Sequence, residues 1–217
     1  MLRDANALHR LGTHPNIVRA HLPFPWQANQ YVLPVDWVDG YSLRGLLDGG
    51  SKLDFPSCVR IVRQVGEALR YAHSQGVIHR DVQPDNIIVP HIGSVKLVNF
   101  DCARVEGDDM RTIATRIGRQ FDERYVAPEV WINPGAASHA SDLYSLGTVF
   151  YELLTGKPPY KTIREFFVAK KLPQMPTEAN PELSPDVDLI ISQMCAFDPK
   201  SRYPSLAEAL EDLSIIG

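Results

Sequence analysis

The chain has 217 residues, 44% of them hydrophobic and 22% charged, which excludes disordered, collagen-like and membrane-embedded classes and admits one large domain or part of one. With 22 Lys and Arg against 26 Asp and Glu the net charge is -4, so the basic excess that carries nucleic-acid binding is missing, although small anions can still bind locally. Cys58, Cys102 and Cys195 include no pair at metal-ligand spacing, and their odd count argues against a disulfide framework and suggests a reducing, cytoplasmic setting; neither a signal peptide nor a membrane-spanning apolar run is found.

Leu2, Ala5, Leu8 and Leu11 recur three apart and predict an amphipathic helix over 1–11, ended by Gly12 and Pro15. Residues 16–22 (NIVRAHL) and 30–38 (QYVLPVDWV) predict two short strands around a loop with Pro23, Pro25 and Trp26, and Gly40 breaks the second strand. From Pro56, the stripe Cys58, Ile61, Val62, Val65, Leu69 and Ala72 predicts a helix closed by Gly76. Short strand-length pieces follow at 77–78, 87–89 and 95–98. Residues 99–137 lack periodicity, as long functional loops do. Residues 139–154 (HASDLYSLGTVFYELL) are apolar almost all round, which predicts a helix buried on every side, and Gly156, Pro158 and Pro159 stop it. Three further helices are predicted near 162–171, 185–195 and 205–215. There is no repeat and no low-complexity tract.

Residues 79–86 read HRDVQPDN between two predicted strands, and this resembles the catalytic loop of protein kinases, H-R-D-x-x-x-x-N. Asn99-Phe100-Asp101 follows the strand VKLV where kinases place Asp-Phe-Gly. Ala127-Pro128-Glu129 closes the aperiodic segment where they place Ala-Pro-Glu. Asp142 opens the buried helix as DLYSLG, and Arg202 sits in DPKSRYPS. Order and spacing agree with the C-terminal lobe of a serine/threonine-type kinase. The resemblance implies an α+β, kinase-like fold: residues 39–217 as a mainly helical C-lobe, and 1–38 as an N-lobe remnant holding the end of the αC helix, two strands and the hinge.

The resemblance also implies roles. Asp81 would accept the proton of a substrate Ser or Thr hydroxyl, and Asn86 would offer an amide oxygen to magnesium. Arg80 would organise the activation segment through carboxylate or phosphate contacts. His79 would be a packed structural residue. Val35 falls at the gatekeeper, Asp36 to Val38 at the hinge, and Ile88 under adenine, so ATP and Mg are the implied ligands and a protein is the implied substrate or partner. Asp142 would hold the catalytic-loop backbone. Glu129 with Arg202 would form a structural ion pair. Asp4 falls where αC carries its glutamate, with a solvated helix charge as the plainer account. Thr112 and Thr115 lie where phosphorylation could pair with Arg80, though unmodified loop threonines are the simpler expectation. His9, His14, His21, His73, His91 and His139 share no ligand spacing and read as ordinary.

Three departures bear on activity. Asn99 replaces the metal-binding aspartate and lowers expected Mg affinity. A two-residue slip would make Asp101 the ligand, but the anchor Ala103-Arg104 favours the unslipped alignment. Gln83 replaces the lysine that steadies the γ-phosphate, and Asp122 replaces a threonine of the substrate-docking loop. The 217 residues also contain no glycine-rich loop and no V-A-I-K strand. The chain is therefore expected to be an impaired kinase domain with weakened ATP and Mg binding. The alternative is a pseudokinase that holds a partner on its C-lobe, for instance around 160–171. Exposed apolar surface on helix 1–11 and strand 30–38 leads to an expectation of self-association.

Overall fold

The computed structural model describes residues 3–27, 30–106 and 122–216, without the side chains of Arg3 and Asp4. Thr112, Thr115 and the Asp4 side chain therefore lie outside the described residues. Helix α1 (Arg3–Leu11) leads into a hairpin of β1 (Phe24–Gln27) and β2 (Gln30–Val32). Next come β3 (Gly40–Ser42), α2 (Leu43–Asp48), α3 (Phe55–Ser74), β4 (Val77–Ile78), β5 (Ile87–Pro90), β6 (Lys96–Leu97) and β7 (Arg104–Val105). After the undescribed segment follow α4 (Pro128–Ile132), α5 (His139–Thr155), α6 (Ile163–Ala169), α7 (Pro176–Ala179), α8 (Pro185–Met194) and α9 (Leu206–Ile216).

The core is helical. Asp54 caps α3 by accepting from the Ser57 N–H at 3.0 Å, Pro56 occupies its first turn, and Gly76 follows its end at φ 68°. One face of α3 buries Cys58, Ile61, Val62, Val65, Leu69 and Ala72, the residues of the sequence stripe, and packs on α5 and α9. Helix α5 is buried from Ser141 through Leu153, as its all-round apolar sequence requires. Gly147 belongs in that helix because α8 comes so near: an added Cβ would lie 2.7 Å from Met194 Cβ and 2.8 Å from Cys195 Sγ. We expect Gly147→Ala to overpack this contact and cost about 1–3 kcal/mol. At roughly 2–4 °C per kcal/mol for a chain of this size, a thermal unfolding scan resolves it.

The β-structure departs from expectation at several places. Residues 16–22 form no strand; Ile17 bridges Leu97 and Ala20 bridges Val35 singly. The stretch 30–38 pairs as a strand only over Gln30–Val32, because its partner is Phe24–Gln27, inside the segment expected to be a loop. Two prolines there mark an edge, where a missing N–H costs nothing. Gly40 does not break a strand but starts one: β3 runs so close to β5 that a Cβ on Gly40 would sit 2.3 Å from Val89 O. Within 99–137, β7 and α4 provide structure that the sequence pattern hid. Helix α1 is not an exposed apolar face, since Ala5, Ala7, Leu8 and Leu11 are buried in the core. That removes half of the basis for self-association. The hairpin does stand open, with Phe24, Trp26 and Tyr31 exposed. Among the described residues no helix is long and apolar enough to cross a membrane.

Candidate active site

The site is built on the loop between β4 and β5, and its scaffold is Asp142 in the first turn of α5. This carboxylate is fully buried and accepts from the His79 N–H at 2.9 Å and the Arg80 N–H at 2.8 Å. His73, in the last turn of α3, donates its Nε2 hydrogen to the same group at 2.7 Å. Burial pushes the Asp142 carboxyl up, but the hydrogen bond from His73 foremost, together with the Arg80 backbone donor, outweighs it and holds it below the ordinary carboxylate value. These bonds stabilise Arg80 at φ 69°, a left-handed backbone that a long side chain otherwise avoids.

His79 is wholly buried, with its ring edge-on to Phe100. Its Nδ1 accepts from the Asp81 N–H at 3.2 Å, so Nε2 carries the hydrogen and donates it to Val98 O at 3.0 Å. Burial lowers its pKa, keeping the ring neutral. A neutral ring with both nitrogens occupied is a packing element, as expected.

Asp81 is buried, and side-chain amides surround its carboxylate. Gln83 Nε2 donates to Oδ1 at 2.7 Å, and Asn86 Nδ2 donates to Oδ2 and to the Asp81 carbonyl, both at 2.7 Å. Asn99 Nδ2 lies 3.5 Å from Oδ2 and donates to Asn86 Oδ1 at 3.1 Å. Asn99 reaches this position from φ 61°, a conformation asparagine tolerates. Burial raises the Asp81 pKa, with the negative charge of Asp122 adding to it against the favourable His79, Asn86 and Gln83 contributions. In stability terms, a raised carboxyl favours the fold below the unfolded value of 3.8, and that contribution is lost as pH rises through the folded value. Residues 81, 83, 86 and 99 therefore form one cluster.

The magnesium donor set is poor. Asn86 and Asn99 offer neutral amide oxygens, the Asn86 oxygen is engaged by Asn99, and the Asp81 carboxylate is engaged by Gln83 and Asn86. Magnesium in nucleotide sites is held by one or two carboxylates together with phosphates. The residues present do not match that requirement. Among the described residues no group of three or more His, Cys, Asp or Glu is arranged to hold a metal.

At the hinge, Val35 is half exposed and bridges Ala20, and the Asp36 N–H donates to Arg19 O at 2.9 Å. Asp36 also accepts from His21 at 2.6 Å. Among the described residues neither the Asp36 carbonyl nor the Val38 N–H makes a hydrogen bond, which leaves an acceptor and a donor on one extended stretch. Ile88 sits between Ser42 and Lys96 in the sheet. Asp36 and Val38 also line a cavity of about 510 Å³ with Arg19, Trp37 and Lys96, which Ile88 and Asp81 do not touch.

Two networks secure the substrate side. Arg202 forks onto Glu129 with two 2.8 Å bonds, and so ties α4 to the segment before α9. Arg44 bonds Glu152 at 3.0 Å and Tyr125 at 2.5 Å, and Tyr125 also donates to Glu152, joining α2, α5 and the end of the activation segment. Burial, with the Glu152 hydrogen bond, holds the Tyr125 phenol far above its ordinary pKa. Asp122 accepts from Arg124 Nε at 2.8 Å, and this pair outweighs burial to lower the Asp122 pKa. Motif spacing missed His73, Arg44 and Glu152, because they act on partners 27 to 108 positions away. A histidine in the helix turn just before the HRD loop was the only local sign.

A family profile described as protein kinase domain matches residues 1–213. The chain is 34% identical over 218 residues to a protein named as a probable serine/threonine-protein kinase from Streptomyces coelicolor, covering 97% of this chain and 32% of that protein. It is 32% identical over 209 residues to the serine/threonine-protein kinase PknB of Mycobacterium leprae, covering 92% and 33%. With the probable serine/threonine-protein kinase PknB of Lactococcus lactis it shares 30% over 218 residues, covering 98% and 34%. The chain thus spans about a third of the length of the curated relatives it matches. With the HRD loop pinned by a buried aspartate, the Glu129–Arg202 pair and these matches together, the chain belongs to the protein kinase family as a serine/threonine-kinase-like domain.

Proposed function

We propose that this domain is built for transfer of the ATP γ-phosphoryl group to a protein Ser or Thr hydroxyl, and that in this chain the transfer is impaired. The observation that supports it is the setting of Asp81, a carboxylate on a loop fixed by Asp142 and surrounded by neutral amides where the family uses charge. Phosphoryl transfer asks a protein for positioning and charge neutralisation. Asp81 orients the attacking hydroxyl and accepts its proton, while Gln83 and Asn86 hold the carboxylate in place. Arg80 is proposed to organise the activation segment. Residues 1–38 serve as N-lobe and hinge elements and 39–217 as the C-lobe, with the adenine edge on Asp36 and Val38, flanked by Val35 and Ile88. At two positions the family's charge is replaced: Gln83 offers none to the γ-phosphate and Asn99 none to magnesium. Because the Asp81 pKa is raised, any residual rate should fall on acidification at a pH above 3.8.

The second reading is a pseudokinase that binds a partner. It is favoured by one contact, the Asn99 amide donating to Asn86 Oδ1, which engages the amide oxygen that Asn86 would otherwise offer to magnesium. Calorimetric titration with ATP, with and without magnesium, separates the two. Binding that requires magnesium supports the enzyme; metal-independent binding, or none, supports the partner-binding module.

A further inference from the structure

A cavity of about 680 Å³ lies between α8 and α9, far along the chain from the HRD loop. Ile190 and Ala196 line it, and Leu189 and Ile215 flank it at 68% and 75% exposure. Asp186 and Asp212 also line it, and no Lys or Arg does. The surrounding sequence has the same sign: residues 182–216 carry seven carboxylates against Lys200 and Arg202, and Arg202 is already committed to Glu129. Asp212 accepts from the Tyr203 hydroxyl at 2.7 Å and Asp186 from the Ser184 hydroxyl at 3.0 Å. Each of these bonds uses one carboxylate oxygen and leaves the other able to accept.

From this geometry we propose that the α8–α9 groove docks a basic amphipathic helix of a partner protein. A groove between two helices accepts a third whose apolar side chains recur at i, i+3, i+4 and i+7, and the carboxylates along it select Lys and Arg beside that stripe. Charge complementarity also argues against a second copy of this chain. The chain is net acidic, and symmetric pairing would bring one acidic groove against another. The inference does not depend on whether the domain transfers phosphate.

The test uses fluorescein-labelled 18-residue peptides and chain 1–217 in anisotropy titrations at 50 and 200 mM NaCl. One peptide places Leu on a single helical face and Lys elsewhere; the second is its scrambled isomer with equal charge; the third carries Glu in place of Lys. The amphipathic Lys peptide is expected to bind at least about tenfold tighter than the other two, and more weakly at higher salt. Leu189→Ser with Ile215→Ser should weaken it about tenfold or more, and Asp186→Asn with Asp212→Asn should flatten its salt dependence. Val168→Ser, at an equally exposed apolar residue on α6, should change nothing. Because Leu189 and Ile215 are exposed, their replacement should leave the unfolding temperature unchanged. Equal binding of the scrambled peptide, indifference to the Leu189 and Ile215 changes, or a dimer that the same changes dissociate would each overturn the proposal.

Discussion

Asp142→Asn is expected to remove about 3–5 kcal/mol of stability, enough to leave a marginal domain largely unfolded. The carboxylate is fully buried and serves three donors, the N–H groups of His79 and Arg80 and the His73 ring. An asparagine keeps one acceptor oxygen and places an NH₂ against a second set of donors, so at least one buried N–H is left without a partner. Arg80 then loses the bond that offsets its left-handed backbone. Urea denaturation of both proteins measures the difference. Its pH dependence is set by the lowered Asp142 pKa: the contribution is fully present above the unfolded value of 3.8 and is lost as pH falls through the folded value below it. The gap between wild type and variant should stay constant from neutral pH to about pH 5 and close only in stronger acid. A variant within about 1 kcal/mol of wild type at neutral pH would show that Asp142 does not hold the loop.

Asn99→Asp is expected to act oppositely with and without magnesium. Residue 99 is exposed and left-handed, a conformation aspartate also tolerates, so the backbone accepts the change. The new carboxylate lies near Asp81, whose Oδ2 is 3.5 Å from the present amide nitrogen. Two negative charges near 4 Å repel by about 1 kcal/mol in a water-like setting, so in EDTA the variant should melt roughly 2–4 °C lower. With Mg-ATP the sign should reverse, because the pair now supplies the carboxylate that magnesium requires. The transfer rate should rise by about 10²–10³, the usual worth of one such electrostatic contact. A variant that melts alike in EDTA and in Mg-ATP would remove Asn99 from the proposed account of impairment.

How much of this was legible in the sequence follows from the range of the contacts. Helix α3 was readable because its stripe and its bounds at Pro56 and Gly76 are local, and α5 because burial on all sides leaves an unbroken apolar run. The cluster of Asp81, Gln83, Asn86 and Asn99 could be named because two short motifs carry it. The hairpin was misplaced because β1 and β2 are held by four- and three-residue ladders whose exposed side chains show no alternation. Gly40 misled for a physical reason: glycine breaks strands on average, yet here only glycine admits the Val89 carbonyl. His73 read as ordinary and the Arg44–Tyr125–Glu152 network was invisible, because their meaning arises only when α2, α3 and α5 pack.

The central proposal is that Asp81 is kept as the base while Gln83 and Asn99 bring no charge to the phosphate or the metal. It is tested most directly by transfer of labelled γ-phosphate from Mg-ATP to a generic Ser/Thr protein substrate, comparing chain 1–217 with its Asp81→Ala variant. Protein kinases turn over at about 1–100 s⁻¹, and two missing charged contacts at about 10²–10³ each place this chain below about 10⁻² s⁻¹. A rate in the ordinary kinase range that Asp81→Ala abolishes would contradict the account.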